Sequence, residues 1–285
     1  MAADPVSGLV LLDKKPGLTS FQSLGAVKRL YGRTVGHTGT LDKFAEGLLV
    51  VLVGKLTKLN ALFTSFDKVY EADFTFGRET STLDPEGKVV FEGPQPDGSL
   101  LDLAPNWKGP QMQVPPEYSA IHVDGTRASD RVRRGEVVEM APRPIVVYSL
   151  DVLAWSSPVL SVRIHCSKGT YVRSIARDWG RASGFGAHVT RLRRTSVGPF
   201  GLPGGDLEFR DPAWTLQTLG IPVLTVDGGN LDAVFHGRPP VDWVEGLDQA
   251  PERVGIADPQ GHLVALVERR SGRWVYLFVD QGARP

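Results

Sequence analysis

The residue with the clearest chemical potential is Asp42, which ends the glycine-rich stretch GHTGTLD, 36–42, just before an apolar run, GLLVVLVG, 47–54. A carboxylate on such a loop has four readings: a turn residue, an accessory to phosphate binding, a metal ligand, or a nucleophile that needs no cofactor. The loop by itself is compatible with all four, and a turn aspartate bonded to its own backbone is the simplest.

Several catalytic motifs are missing from the sequence. A phosphate-binding loop would end in Lys-Ser or Lys-Thr at fixed spacing, which GHTGTLDK lacks. The six histidines show no metal-type spacing, and the single cysteine, Cys166, rules out a thiolate cluster. The nucleophile elbow G-x-S-x-G is absent, and nothing pairs Asp42 with Glu71 or Asp73 as a two-carboxylate glycosidase requires. We therefore expect no metal and no nucleotide cofactor.

Charge is unevenly distributed along a chain whose formal net charge is zero. Residues 1–200 carry 25 basic and 20 acidic side chains, whereas residues 201–285 carry 7 and 12. The stretch 163–194 has eight basic residues against one acid, Asp178. A local excess of this kind favours a polyanionic partner, and a solvated helix face is the alternative.

The segments that must position Asp42 alternate between strand and helix patterns. Predicted strands are SGLVLLDKKPG, GLLVVLVG, KVYEADFTFG and LSVRIHCSKG. In KVYEADFTFG, Tyr70 shares the apolar face with Ala72, Phe74 and Phe76. Predicted helices are TSFQSLGAVKRLYG, KLTKLNALFTSF and TYVRSIARDWGRAS.

Two of these helices carry further predictions. The first is capped by Thr19 or Ser20, stopped by Gly32, and buries a face that includes Phe21. The helix TYVRSIARDWGRAS is amphipathic on one side, with Thr170 as its N-cap, which places Arg173 in its first turn.

Length and composition indicate a globular protein of one large domain or a large and a small one. The chain has 285 residues, of which 41% are apolar, and no apolar run approaches 18 residues. The start has no basic segment before an apolar stretch, so we expect no signal peptide, and a single cysteine fits a reducing cytoplasm. Residues 91–120, rich in Pro and Gly, predict a long excursion with little regular structure.

Seven stretches in order resemble one family. They are LLDKKPGLTSFQSLGAVKRLYG, GHTGTLD, GLLVVLVGKLTKL, KVYEADFTFGRETSTLDPEG, QVPPEYSAIHVDGTRAS, CSKGTYVRSIARDWG and LRRTSVGPF, which span about residues 9–200. In these pieces the sequence resembles the bacterial-type tRNA pseudouridine-55 synthases, the TruB family. The resemblance implies an α+β fold with a mixed, mostly antiparallel sheet flanked by helices. It also implies a catalytic domain at 1–210 with an RNA-gripping insert at about 91–135, and a small β-rich PUA-like domain at 220–285.

The family isomerises uridine 55 in the TΨC loop of tRNA to pseudouridine, without cofactor or metal, and the resemblance assigns roles accordingly. Asp42 is implied as the catalytic aspartate, Arg173 as its ionic partner, and Tyr70 as the aromatic that stacks on the flipped base. His37, Tyr171 and Leu192 are implied around the base or the space it leaves. Candidate phosphate contacts include Lys14, Arg127, Arg193 and Arg194. We expect a cytoplasmic monomer, with the T arm of tRNA as partner and no membrane association.

The sequence departs from the family pattern beside the implied site. Lys43 stands where the family has Pro and Glu46 where it commonly has Thr, while His122 replaces a usual lysine and Ser129 an aromatic residue. These changes bear on how the chain grips tRNA. Two other readings therefore stay open, an RNA-binding module with secondary or lost catalysis and a guide-RNA-dependent synthase.

Overall fold

Strands dominate the described part of the chain, residues 6–240, 244 and 246–280 of the computed structural model. The strands are β1 (Gly8–Lys14), β2 (Val35–His37), β3 (Glu46–Val53), β4 (Lys68–Phe76), β5 (Arg78–Thr80), β6 (Val89–Glu92), β7 (Gly109–Gln113), β8 (His122–Val123), β9 (Thr126–Arg127), β10 (Arg143–Ser156), β11 (Val159–Cys166), β12 (Ala187–Val197), β13 (Phe200–Gly201), β14 (Leu207–Arg210), β15 (Val223–Thr225), β16 (Arg253–Ala257), β17 (Leu263–Arg270) and β18 (Arg273–Val279). The α-helices are α1 (Ser20–Tyr31), α2 (Asn60–Thr64), α3 (Ala128–Arg133), α4 (Val172–Ala182), α5 (Pro212–Thr218) and α6 (Gly228–Phe235), and 3₁₀ segments span Gly54–Leu59, Gly98–Trp107 and Leu247–Gln249.

Ten of these strands form one large sheet in the order β14-β1-β3-β12-β4-β11-β10-β7, with β13 beside β12 and β2 beside β3. Every pairing in it is antiparallel except that of β12 with β3. Strand β12 lies between β3 and β4, which are close in sequence, so residues far along the chain separate them. The expected mixed, mostly antiparallel sheet with flanking helices is confirmed.

Both faces of the sheet are covered where the site is built. Strand β3 is a continuous apolar run because Leu49 and Val51 pack toward α1 while Leu48 and Val50 pack into a second cluster on the other face. Strand β4 alternates as expected, with its apolar face packed against Trp179 of α4. Among the described helices, none combines the length and apolar character needed to cross a bilayer.

The chain beyond β14 forms a second sheet, β15-β16-β17-β18, in the stretch where the resemblance implies a small β-rich domain. Its antiparallel strands are joined by turns between β16 and β17 and at Ser271-Gly272. Leu263, Leu266 and Phe278 of this sheet join the same apolar cluster as Leu9 and Leu48 of the large sheet. The ends of both expected domains, at 1–5 and 281–285, and residues 241–243 and 245 lie outside the described residues.

The expectation of little regular structure at 91–120 is wrong for its central part. Residues Gly98–Trp107 are 3₁₀ helical, and Gly109–Gln113 form the edge strand of the large sheet. Leu100 is buried, and its carbonyl accepts a hydrogen bond from the Trp179 indole N–H. These residues pack against the core because they supply apolar and backbone partners to α4, and the rest of the predicted insert is a small unit around β8, β9 and α3.

Three local predictions also need correction. Phe21 does not face the core; 69% of it is exposed, because Ser20, Ser23, Leu24 and Val27 form the buried side of α1. Thr170 does not cap α4, which starts after Tyr171 without a side-chain cap. The predicted helix over 55–66 divides into a 3₁₀ segment followed by the short α2. The predictions of Thr19 as N-cap and Gly32 as C-cap of α1 are confirmed.

Candidate active site

A cavity of about 580 Å³ opens beside the first residues of β4, where the loop before β3 meets the start of α4. Asp42, Tyr70, Arg173, Tyr171, Leu192, Arg127 and Arg194 all line it. Seven of the ten residues predicted for the site therefore come together from five separate stretches of sequence. His37, Lys14 and Arg193 are not among the lining side chains.

Three side chains from outside the loop hold the Asp42 backbone in place. The Ser20 hydroxyl accepts the Leu41 N–H (2.8 Å) and donates to the Leu41 carbonyl (2.9 Å). The Arg194 guanidinium donates to the carbonyls of Gly39, Thr40 and Leu48, and the Lys14 ammonium donates to the carbonyl of Ala45. Loop carbonyls that would otherwise be left unpaired are thus satisfied by buried donors, which fixes the direction of the carboxylate.

Lys14 and Arg194 do not lie where their predicted role as phosphate contacts requires. Only 2% of Arg194 and 1% of Lys14 is exposed, so neither is a surface contact for phosphate. Burial lowers the pKa of Lys14 to about 8, against the opposing influence of Asp42. Arg193 is also committed internally, because its guanidinium lies 2.9 Å from Asp13 and 3.6 Å from Glu46.

Gly47 makes the contact between this loop and β12 possible. Its φ is +103°, and a Cβ at this position would lie 2.3 Å from the Arg194 carbonyl oxygen. Only glycine combines this conformation with so close an approach of two backbones. Gly47, the first residue of the apolar run, therefore allows the Arg194 backbone to lie directly against the loop.

Arg173 joins two acidic loops at the floor of the cavity. Its Nε lies 2.9 Å from Asp42 Oδ2, and Nη2 donates to Asp42 Oδ1 at 3.1 Å. Its Nη1 donates to Asp84 Oδ2 (3.1 Å) and to the Thr82 carbonyl (2.8 Å), and Nη2 also donates to the Tyr118 carbonyl (3.1 Å). With 4% of the residue exposed and with Nη1 and Nη2 each bonded to two acceptors, the guanidinium is held in one orientation beneath Asp42.

The electrostatics of Asp42 result from opposing effects. Burial raises the pKa of the Asp42 carboxyl, and the neighbouring Asp84 raises it further, whereas the Arg173 charge and hydrogen bond, with Lys14, lower it. Arg173 is therefore the main group that favours the ionised carboxylate in a site that otherwise opposes it. The side chain of Asp42 remains 34% exposed toward the cavity, so its oxygens are accessible to a bound molecule.

Asp84 is a buried acid that the sequence prediction missed. It lies in the turn TLDPEG after β5, where it accepts hydrogen bonds from the Thr82 hydroxyl and the Glu86 N–H. The preceding Leu83 has φ +62°, an uncommon conformation for a branched residue that marks a constrained turn. The signal available was an acid two residues after a threonine, within a stretch that already matched the family.

Apolar and aromatic groups form the remaining walls. Tyr70 and Leu192 lie on adjacent strands, since Leu192 faces Ala72 in the β12–β4 register. Burial raises the pKa of the Tyr70 phenol, which keeps it neutral. The backbone of Tyr171 is held by Gln113, which accepts its N–H (2.8 Å) and donates to its carbonyl (3.1 Å). The edge strand β7 therefore also positions the cavity.

The two charged departures from the family pattern are paired rather than free. The Lys43 ammonium lies 2.9 Å from Glu86 Oε1, and Glu46 lies 3.5 Å from Arg191 and 3.6 Å from Arg193. His37 ends β2, and burial with the nearby Arg194 charge lowers its pKa, which favours a neutral imidazole. Six arginines of the predicted basic excess at 163–194 are likewise paired with acids within the protein.

The Ser20 contact gives a test of the loop's support. We expect Ser20→Ala to lower the free energy of unfolding by about 1–3 kcal/mol, because it leaves the buried Leu41 backbone groups without partners. Ser23→Ala is the matched control, since that hydroxyl bonds only the Thr19 carbonyl in its own helical turn. Urea unfolding and product formation measure the outcome. Equal losses in both variants would show that the contact between Ser20 and the loop is not the cause.

Comparisons with known proteins agree with this geometry. The family model described as TruB family pseudouridylate synthase (N terminal domain) matches residues 28–172, and tRNA pseudouridylate synthase B C-terminal domain matches residues 173–221. A tRNA pseudouridine synthase B of Corynebacterium efficiens is 40% identical, over 99% of this chain and 98% of the relative. One of Borreliella burgdorferi is 45% identical, over 70% of this chain and 73% of the relative.

Solved structures support the fold. A structure titled as an H/ACA RNP bound to a substrate RNA containing 2'-deoxyuridine has a TM-score of 0.63 and 21% identity, and covers 98% of this chain and 85% of that one. A Cbf5-Nop10-Gar1 complex has a TM-score of 0.61 and 23% identity, over 96% of this chain and 84% of that chain. With family models that together span residues 28–221 and close relatives over nearly the whole length, the chain belongs to the TruB family of pseudouridylate synthases.

Proposed function

We propose that this pseudouridine synthase isomerises uridine 55 in the TΨC loop of tRNA, with Asp42 as the catalytic carboxylate. The observation that carries the proposal is the Asp42–Arg173 pair at the floor of a cavity walled by Tyr70 and Leu192. An accessible carboxylate with a buried guanidinium behind it is suited to a reaction in which positive charge develops on the bound molecule.

The chemistry follows from the groups present. The bond between ribose and uracil N1 breaks, the base rotates, and a bond to C5 forms, while the proton lost from C5 is matched by one gained at N1. Breaking the glycosidic bond builds positive character on the ribose, which the ionised Asp42 stabilises. Burial raises the pKa of the Asp42 carboxyl, and Arg173 opposes this effect and so favours the ionised form. The neutral Tyr70 ring offers a face on which the base stacks.

The substrate must reach this cavity as an extruded nucleotide, since a stacked base exposes only its edges. We propose that Arg127, which is exposed at the cavity rim, contacts the T-arm backbone. We also propose that His37 fills the space that the extruded base leaves in the RNA loop. In this proposal the small unit around β8, β9 and α3 grips the RNA. A catalytic domain of about 1–210, a PUA-like domain of about 220–285, a monomeric state and a cytoplasmic location complete it.

The test is modification of an unmodified tRNA transcript by the purified protein without guide RNA. We expect pseudouridine at position 55, mapped by a pseudouridine-specific chemical reaction followed by primer extension. A transcript with cytidine at position 55 is the control and should carry no product. Product only after addition of a guide RNA, or binding of the transcript without any product, would contradict the proposal.

A further inference from the structure

Lys43 directly follows Asp42 in the chain, and its surroundings indicate a role beyond that of a turn residue. Its side chain lines the cavity, is 52% exposed, and lies 2.9 Å from Glu86 Oε1. Glu86 is 47% exposed and is not among the residues that line the cavity. The acid therefore holds the ammonium from outside, at the rim.

The backbones on both sides of this pair are fixed, so the Lys43 head group is the movable part. The Lys43 carbonyl accepts hydrogen bonds from the Gly17 N–H (2.8 Å) and the Lys14 ammonium (3.3 Å). The Glu86 N–H donates to Asp84 Oδ1 at 3.0 Å. A solvent-exposed lysine–carboxylate pair contributes little stability, so the flexible side chain can exchange one anion for another at small cost.

The RNA expected at this site supplies such an anion. A nucleotide whose ribose lies against Asp42 carries a phosphate on each side of that ribose. Lys43 is the next residue after Asp42, and its four-carbon arm leaves the same loop toward the cavity opening. Lysine binds phosphate as a point charge and needs no fixed geometry, unlike the locked guanidinium of Arg173 beneath it.

From this arrangement we propose that the Lys43 ammonium leaves Glu86 and contacts a phosphate that flanks the target nucleotide, with Glu86 acting as the anion that the RNA displaces. The inference rests on the proposed function for the position of the ribose. It makes Lys43 a substrate-positioning residue, and it makes Glu86 a competitor that weakens RNA binding.

The two side chains then have opposite effects, which a supporting ion pair would not have. The experiment measures binding of a labelled T-arm stem–loop by fluorescence anisotropy at several salt concentrations. We expect Lys43→Met to weaken binding and to reduce the slope of log K against log salt by about 0.7–0.9, the loss of one phosphate contact. The affinity ratio between wild type and variant should shrink about threefold between about 50 and about 200 mM salt.

Glu86→Gln should instead tighten binding by about two- to fivefold, the range that breaking one exposed ion pair corresponds to. The gain should be smaller in the Lys43→Met background, where no cation is released. Matched controls are Arg78→Met and Glu92→Gln, which remove the same charges from an exposed pair 3.3 Å apart on β5 and β6.

The possible outcomes separate the alternatives. Weaker binding in both Lys43→Met and Glu86→Gln would show a supporting ion pair and overturn the proposal. Equal effects in the Arg78 and Glu92 controls would show long-range charge alone and also overturn it. Failure of the proposed function would appear differently, as wild-type protein that binds the stem–loop but forms no pseudouridine.

Discussion

Asp42→Asn is expected to abolish pseudouridine formation, by at least about 10³-fold in single-turnover rate, while RNA binding remains measurable. The amide keeps the shape of the side chain and an oxygen for Arg173 but removes the negative charge that stabilises the ribose as the glycosidic bond breaks. Product formation on an unmodified transcript, followed over time at saturating enzyme, measures the loss.

The same variant should be at least as stable as the wild type. Burial raises the folded-state pKa of Asp42 above its unfolded value, so ionisation of this carboxyl at neutral pH opposes folding. At low pH the protonated Asp42 carboxyl contributes to the free energy of unfolding. This contribution is lost as pH rises from the unfolded-state pKa through the folded-state pKa. Urea unfolding at pH 7 and pH 4 should show an advantage of Asp42→Asn at the higher pH only. A marked loss of stability at pH 7 would mean that the variant fails through folding.

Arg173→Met is expected to be both inactive and about 3–5 kcal/mol less stable. The change removes one partner of a buried ion network and leaves Asp42 and Asp84 facing each other without a cation, together with the unpaired carbonyls of Thr82 and Tyr118. Thermal or urea unfolding measures the stability. Transcript modification at a temperature below the midpoint of the variant's unfolding transition measures the activity.

Arg177→Met is the matched control, since Arg177 lies one turn later on α4 and is also buried. It donates to the Val114 carbonyl and pairs with Asp178, outside the acidic network. We expect this variant to lose stability but to keep most of its activity once folded. Comparable inactivity in both variants would show that α4 packing, rather than the charge of Arg173, accounts for the effect.

Arg173→Lys adds a test through pH. Lysine retains the charge but loses the two-pronged contact, so the carboxylate of Asp42 is stabilised less and its pKa rises further. Because the reaction needs the ionised form, activity falls as pH drops through that pKa. The fall in the pH–rate profile should therefore lie at higher pH in Arg173→Lys than in the wild type, and an unchanged profile would contradict the assigned role.

Local patterns predicted the elements around the site where one period dominated the sequence. The alternation in β4 and the apolar run of β3 reported their burial directly, because each side chain's partner lies on a known face of the strand. The same reasoning failed at 98–113, the central part of the stretch 91–120, where the partners are distant. Proline and glycine there predicted a loose excursion, but Trp179 and Tyr171 hold those residues against the core.

The site was predicted in its lining but not in its support. Asp42, Tyr70 and Arg173 follow from the resemblance, and their meeting is visible only in the fold. The resemblance implies Arg194 and Lys14 as phosphate contacts because a sequence does not distinguish a guanidinium in solvent from one that satisfies three buried carbonyls. Asp84 is missed for a related reason. Its place in the site depends on its ion pair with Arg173, which is distant in the sequence, and not on its neighbours in the chain.

The position of β12 has a consequence for the order in which the protein is made. Asp42 precedes β3 and Tyr70 lies on β4, yet the two strands become neighbours only through β12, whose Arg194 lies beside Tyr70 in the register and beneath the Asp42 loop. A nascent chain that ends before residue 187 lacks this central strand. During translation the Asp42 loop therefore lacks its Arg194 support until this late strand has been made.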